Sequence, residues 1–293
     1  MSATPAENLF RKEWEEIESE GTPPKYLRNV VVEDFSEFRK KVFCQEPHFA
    51  RSFVESIYSG DLYVFKRAFP SEFMVGLRGK LLDYFEKRQT SFHKLLDGCP
   101  DFHNVITPAP GAPGKTYAVS ATKHAYFFYP WNSDPLQLFP TCNERWGILN
   151  YIGGSAFDEY IHNIPSDGWI NRIQIALYPS GGGGVEAHSD PYKYQRLLGC
   201  CIMSKRGRDY QTGGVYALNQ KKERVDLEDQ LDIGDIYTVY ASVHHGVATI
   251  DKGGKVDWAH SAGRWWMALS SVASDACANR ETWYPVSELA ETK

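Results

Sequence analysis

From Trp169 onward the apolar residues of this chain recur with a period of two, and no helical pattern interrupts them. In WINRIQIALY, Ile173, Ile175 and Leu177 alternate with Arg172, Gln174, Ala176 and Tyr178, the mark of a strand with one greasy and one mixed face. YQRLLGCCIMS, GGVYALN, RVDLEDQ, DIYTVYASVHH and RWWMALSSVA follow as short strands, separated by SKRGRDYQTGG, NQKKE, LDIGD and the longer DKGGKVDWAHSAG. Strands in that number, joined by turns and not by helices, predict an antiparallel sandwich or barrel and exclude βαβ units.

The first half has a different character. NLFRKEWEEIESE, SEFRKKVFCQ, EPHFARSFVESIYS and SEFMVGLRGKLLDYFEKRQ space their apolar residues by three and four, which predicts helices, with Ser71 as the N-cap of the last. A Pro/Gly-rich connector, ITPAPGAPG, leads into the strand-like KHAYFFYPW, and AFDEYIHNI (156–164) reads as a further helix. The chain therefore divides into a mainly helical extension, 1–165, and a strand-rich core, 166–293, expected to form one compact unit.

With 293 residues and 42% hydrophobic content the chain can bury a full core without staples. A net charge of −5, with no basic run, argues against a nucleic-acid partner. No stretch approaches ~18 consecutive apolar residues and the start carries no secretory pattern, so a cytoplasmic protein with no membrane partner is expected. Six scattered cysteines without a CxxC suit free thiols in a reducing compartment and disfavour a zinc cluster.

The conspicuous local feature is YPSGGGGVEAHSD (178–190). A phosphate loop would need its glycines to enter a helix, whereas VEAHSDPYKY has no helical period and contains Pro191. The glycines read instead as a side-chain-free hairpin that leads to His188 and Asp190. On a strand, residues two apart share a face, so this pair can offer one nitrogen and one oxygen to the same ion. A third ligand must come from another strand, and VYASVHHGVATI supplies His244 or His245. Two histidines and one carboxylate leave coordination positions open, as in non-haem Fe(II) oxygenases. Taken alone, a His-x-Asp pair occurs often by chance, and a surface His-Ser-Asp loop with a strand-ending histidine is the reading to prefer.

The intervening residues give the pair its context. Thr212-Gly213-Gly214-Val215-Tyr216, Leu231-Asp232-Ile233-Gly234-Asp235-Ile236, His245-Gly246-Val247 and Gly263-Arg264-Trp265-Trp266 follow in that order. The series resembles the Fe(II)/2-oxoglutarate-dependent dioxygenase superfamily, and Tyr178-Pro179 before a glycine turn is most similar to its prolyl-hydroxylase-like branch. The resemblance covers about 169–275 and implies an α+β fold with a double-stranded β-helix (jelly-roll) core.

It further implies that His188, Asp190 and His245 hold Fe(II), with His245 preferred to His244 because a small residue and a valine follow it. Arg264 resembles the arginine that pairs with the distal carboxylate of 2-oxoglutarate, a task suited to a permanently charged, bidentate group. Tyr178 resembles a co-substrate-binding tyrosine, and parity puts it on the face of Gln174 and Arg172; an ordinary polar barrel lining is the alternative for Tyr178 and Gln174. Two departures stand out: the interval from His245 to Arg264 is longer than usual, with Lys255 and Arg280 as substitute anchors, and Trp266 stands where several relatives carry a hydroxyl. His260 in the same loop is expected to be solvated.

The implied reaction consumes O2, turns 2-oxoglutarate into succinate and CO2, and oxidises a bound substrate. Asp190 favours hydroxylation, desaturation or ring closure over halogenation, whose enzymes carry a small residue there. The aromatic runs AYFFYPWN and RWW, with Tyr192 and Tyr194, form either an apolar pocket or ordinary core. With the helical half as a lid, a small-molecule substrate derived from an amino acid or natural product is preferred. The alternatives are a peptide substrate, a non-enzymatic binding or sensor module, and a cupin-like metal protein that does not use 2-oxoglutarate.

Overall fold

The computed structural model describes residues 8–44, 47–88, 102–107, 119–159, 162–256, 258, 261–278 and 283–286. The first half contains α1 (Leu9–Glu20), β1 (Val30–Asp34), α2 (Phe35–Cys44), α3 (Pro47–Tyr58), β2 (Leu62–Lys66), α4 (Ser71–Phe85), β3 (Phe102–Thr107), β4 (Ala121–Phe128) and α5 (Leu138–Ile152). The second contains β5 (Trp169–Pro179), β6 (Gly184–Ser189), β7 (Gly199–Ile202), β8 (Gly214–Leu218), β9 (Arg224–Asp226), β10 (Ile236–Thr238), β11 (His245–Ala248), β12 (Gly263–Ala273) and β13 (Tyr284–Pro285).

The strands from β5 to β12 fall into two four-stranded antiparallel sets, β5-β12-β7-β10 and β6-β11-β8-β9. That distribution is the double-stranded β-helix. β4 closes one side by pairing with both β5 and β6, and β2 continues the other side beyond β10, with β1 parallel to it. Strands from the first half are thus hydrogen-bonded into the sheet of the second.

The alternation of β5 sorts its side chains as the period requires. Ile173, Ile175 and Leu177 join Trp265, Met267 and Leu269 of β12 in the main core, which continues through Trp146 and Leu149 of α5. Ala176 instead packs with Ala125, Phe127 and Trp266 in a separate inner cluster, on the face that Gln174 and Tyr178 share. Buried side chains such as Trp265 and Phe65 each contribute about 1.5–3 kcal/mol.

The helices hold this barrel from outside. Asn8 caps α1 by accepting from the backbone N–H groups of Phe10 and Arg11. The Trp14 indole donates to Ile152 O at the end of α5 (2.8 Å), and Arg196 grips Glu18 with two parallel hydrogen bonds. Among the described residues, no helix is long and apolar enough to cross a membrane.

Several local expectations are corrected. Residues 157–159 form a turn and 160–161 lie outside the described residues, while the helix of this region is α5, whose pattern is masked because seven of its residues are buried on several sides. Ser71 is the first residue of α4 and supplies no cap hydrogen bond; Pro70 precedes the helix. DIYTVYASVHH is two strands: a turn closed by Val243 N–H to Tyr240 O (3.0 Å) passes the chain from β10 in one sheet to β11 in the other. The glycine run is likewise no hairpin, because β5 and β6 are not paired; it turns the chain from one sheet to the other. Gly183 N–H bonds Pro179 O at 2.7 Å, and a Cβ on Gly183 would lie 2.4 Å from Pro179 N, so the corner needs glycine.

Candidate metal centre

β6 ends by presenting His188 and, just past it, Asp190; β11 begins with His245 directly opposite His188. The register brings these side chains together, with one candidate ligand atom from each lying within 4.8 Å of the others. The imidazoles are 4.5 Å apart between centroids, and His245 Nε2 lies 3.3 Å from Asp190 Oδ2. The backbone N–H of Asp190 is tied to Ala241 O at 2.9 Å, which fixes the carboxylate beside the β10–β11 turn.

Both histidines are oriented by their own strands. His188 Nδ1–H donates to Glu186 O (2.8 Å) and His245 Nδ1–H to Val243 O (2.9 Å), which leaves each Nε2 facing the cluster, where that of His245 carries a lone pair once its proton, shared with Asp190, is lost. Burial, reinforced by His245, pulls His188 down to about 4, so it is neutral at physiological pH. For His245 burial works against the charged form, but the Asp190 hydrogen bond and charge outweigh it and raise its pKa. Asp190 is held below the usual carboxylate range: burial is the largest single influence and opposes ionisation, but the hydrogen bond and charge of His245, the charge of His188 and Trp283 together outweigh it. One carboxylate and two imidazoles with converging lone pairs suit a divalent metal. His244 is not part of the cluster; its ring packs edge-on against Tyr26, 5.2 Å away.

The inner face of the barrel supplies the second half of the site. β12 and β5 pair Arg264 with Tyr178, Trp266 with Ala176 and Ala268 with Gln174, so Arg264, Trp266, Tyr178 and Gln174 share one face. The Tyr178 and Trp266 rings lie parallel, 6.2 Å apart. Burial raises the Tyr178 hydroxyl, with Arg264 pulling the other way and Asp190 adding to the rise, which places the tyrosine within electrostatic reach of both. Arg264 is 2% exposed and Gln174 4%. Among the described residues, Arg264 Nη2 and Gln174 Nε2 are buried donors without a hydrogen-bond partner, an arrangement that costs free energy unless an acceptor arrives. Lys255 is exposed, while Arg280 and His260 lie outside the described residues.

No protein-family model matches the sequence, and no curated protein matches it. Among solved structures, a full-length Neurospora crassa protein in complex with alpha-KG superposes with a TM-score of 0.51 at 14% identity, over 86% of this chain and 89% of that one. That likeness is one of fold. A Pseudomonas putida prolyl-4-hydroxylase aligns over 80% of this chain and 97% of its own, with a TM-score of 0.47 at 10% identity.

Three residues around the site carry no signal of their own in the sequence. Glu228, in the turn after β9, is 2% exposed and pairs with Arg264 Nε. It also accepts from Tyr210 Oη (2.6 Å) and Val215 N–H (2.7 Å), and these donors hold the carboxylate against the guanidinium. Lys123 of β4 is 1% exposed; burial first, then Arg172, pulls it down to about 7, with Asp190 acting in the opposite sense. Its alternation with Ala125 and Phe127 is the one feature that marks it as inward-facing. Trp283, far along the chain, lies with its ring 4.7 Å from that of His188.

Proposed function

We propose that this protein is an Fe(II)- and 2-oxoglutarate-dependent oxygenase acting on a small molecule, with His188, Asp190 and His245 as the iron ligands. The convergence of those three side chains, with both Nδ1 atoms already engaged by backbone carbonyls, carries the reading. The donor set fits the metal: imidazole and carboxylate on one face suit Fe(II), and the sites opposite are left for exchangeable ligands. The N. crassa structure that shares the fold holds alpha-KG.

Arg264 is proposed to bind the distal carboxylate of 2-oxoglutarate through Nη2, with Gln174, Trp266 and Tyr178 completing the pocket. The unpartnered donors Arg264 Nη2 and Gln174 Nε2 support this assignment, because a dicarboxylate brings the acceptors they lack. When bound, iron and 2-oxoglutarate together activate O2 and oxidise the substrate, with succinate and CO2 released. The chain's own residues position the reactants. The histidines are held in orientation by backbone carbonyls, Glu228 fixes the guanidinium plane, and the parallel rings of Tyr178 and Trp266 line the inner face beside it.

A small molecule is preferred to a peptide because the metal-facing groups are enclosed: His188 is 3% exposed and its ring is covered by Trp283. Incubation with Fe(II), 2-oxoglutarate, O2 and a panel of small-molecule candidates, read by succinate formation and product mass, tests the proposal. A product heavier by one oxygen or lighter by two hydrogens, with one succinate per product, is expected. Succinate release driven only by peptides would overturn the substrate class, and none under any condition would overturn the activity.

A further inference from the structure

The inner face of β5 carries a second guanidinium that the co-substrate pocket does not use. Side chains two apart on a strand share a face, so Arg172 lies on the side of Gln174, Ala176 and Tyr178. Tyr178 is paired with Arg264 and Arg172 with Ser270, six residues further along β12. At the rise of an extended strand those positions are about 20 Å apart. The two guanidiniums thus rise from opposite ends of the strand pair.

The guanidinium carbon of Arg172 sits over the Phe127 ring, 4.9 Å from its centroid. Phe127 belongs to the inner cluster with Tyr129 and Ile170, and Trp131 packs against that cluster with its ring stacked on Tyr129 at 4.7 Å. A guanidinium held over a ring by its carbon still presents its N–H edge to a second partner. Arg172 is half-buried, which keeps that edge within reach of a ligand. On the same cluster, Trp131 Nε1 is a buried donor without a hydrogen-bond partner among the described residues. Since an indole nitrogen can only donate, what it lacks is an acceptor.

Charge points the same way. Lys123 shares the inward face of β4 with Ala125 and Phe127 and is 1% exposed. Burial and then the Arg172 charge pull it down, so the two cations lie in each other's field. Of the acids at this site, Glu228 is committed to Arg264 and Asp190 to the candidate ligand set. An anion beside Arg172 eases that repulsion. A guanidinium edge with one neutral donor matches the two coplanar oxygens of a carboxylate, whereas a phosphate, with three oxygens and more charge, calls for more donors.

We infer that the substrate of this site is a carboxylic acid: Arg172 binds its carboxylate, Trp131 Nε1 is the second donor, and its apolar part lies on the aromatic cluster of Phe127, Tyr129 and Trp131. This inference rests on the proposed oxygenase reading and names the chemical class of its substrate.

The test uses the full-length protein loaded with Zn(II) and 2-oxoglutarate, a complex that cannot turn over because Zn(II) has no redox chemistry. Uptake of Zn(II) and then of 2-oxoglutarate is measured first by calorimetry; a protein that takes up neither overturns the oxygenase reading, and this inference with it. Monocarboxylic acids with aryl or alkyl bodies, each matched with its primary amide, are then screened by saturation-transfer NMR, and the best pairs are titrated calorimetrically. Acids should bind, and their amides at least tenfold more weakly, the loss expected when a charge-assisted hydrogen bond is given up. In Arg172→Gln the acids should lose at least the same factor while 2-oxoglutarate affinity stays at the wild-type value. Arg172→Lys, which keeps the charge without the planar edge, should fall between the two. The comparison of acid with amide needs no variant, so it decides even where a substitution unfolds the protein. Loaded wild-type protein that binds no acid, or binds amides as tightly, overturns the inference and leaves the oxygenase reading standing, as does Arg172→Gln with undiminished acid binding.

Discussion

Glu228→Gln separates what stabilises the barrel from what binds its co-substrate. Glu228 Oε1 accepts from Arg264 Nε and from Val215 N–H at 2.7 Å, and Oε2 from Tyr210 Oη at 2.6 Å. A glutamine amide keeps this pattern: its oxygen serves Arg264 and Val215, and its NH2 donates to a rotated Tyr210 hydroxyl. What disappears is the charge opposite a guanidinium that is 3% exposed. Leaving a buried charge without its partner costs about 3–5 kcal/mol, and the retained hydrogen bonds put this variant near the lower end, about 3 kcal/mol.

Binding should move the other way. Two carboxylates on one guanidinium lie about 6 Å apart and, at an effective dielectric near 20, repel by roughly 2–3 kcal/mol. Removing one should therefore tighten 2-oxoglutarate binding by tenfold or more. Urea unfolding of the apoprotein gives the first number, and calorimetric titration of the Mn(II)-loaded protein with 2-oxoglutarate gives the second. A variant that loses stability yet binds 2-oxoglutarate no better, or binds it more weakly, would refute the role given to Arg264.

Metal affinity should depend on pH through His245. Its pKa is raised in the apoprotein, and a metal binds only the unprotonated ring, so affinity should be full above that value and fall about tenfold per pH unit below it. His188, held near 4, should add a second proton to the slope only near that pH; competition by two protons already at pH 6 would contradict its neutral, buried state. Gly214→Ala should disable the anchor from a distance. Gly214 has φ 129°, and a Cβ there would lie 2.1 Å from Glu228 Cγ, so the carboxylate must shift. Weaker 2-oxoglutarate binding with unaltered metal affinity is expected, and unchanged 2-oxoglutarate binding would show that Glu228 does not position Arg264.

The parts of the molecule that were legible in the sequence are those where one local rule decides. Period-two alternation marked β5 and β12 and their inner and outer faces, and i/i+2 geometry set His188 beside Asp190. The glycine pair 213–214 was visible as a motif, but its reason, the closeness of the Thr249 backbone to Gly213 and of Glu228 to Gly214, needed three dimensions. β1 and β2 were hidden because VVVED and LYVFK are short runs between helices, and a parallel pairing across some thirty residues leaves no local trace. α5 was hidden because a helix buried on several sides loses its polar stripe. Lys123, Glu228 and Trp283 reach the site from β4, the turn after β9 and the position before β13, and nothing in spacing alone could have brought them together.

The central claim is that His188, Asp190 and His245 hold Fe(II) and that the inner face of the barrel brings 2-oxoglutarate to it. The most direct test is an anaerobic titration of the Fe(II) protein with 2-oxoglutarate, followed in the visible range. A weak metal-to-ligand charge-transfer band is predicted, saturating with one 2-oxoglutarate per iron and absent from His188→Ala. Wild-type protein that binds Fe(II) and develops no such band, or a band that survives His188→Ala, would contradict the account.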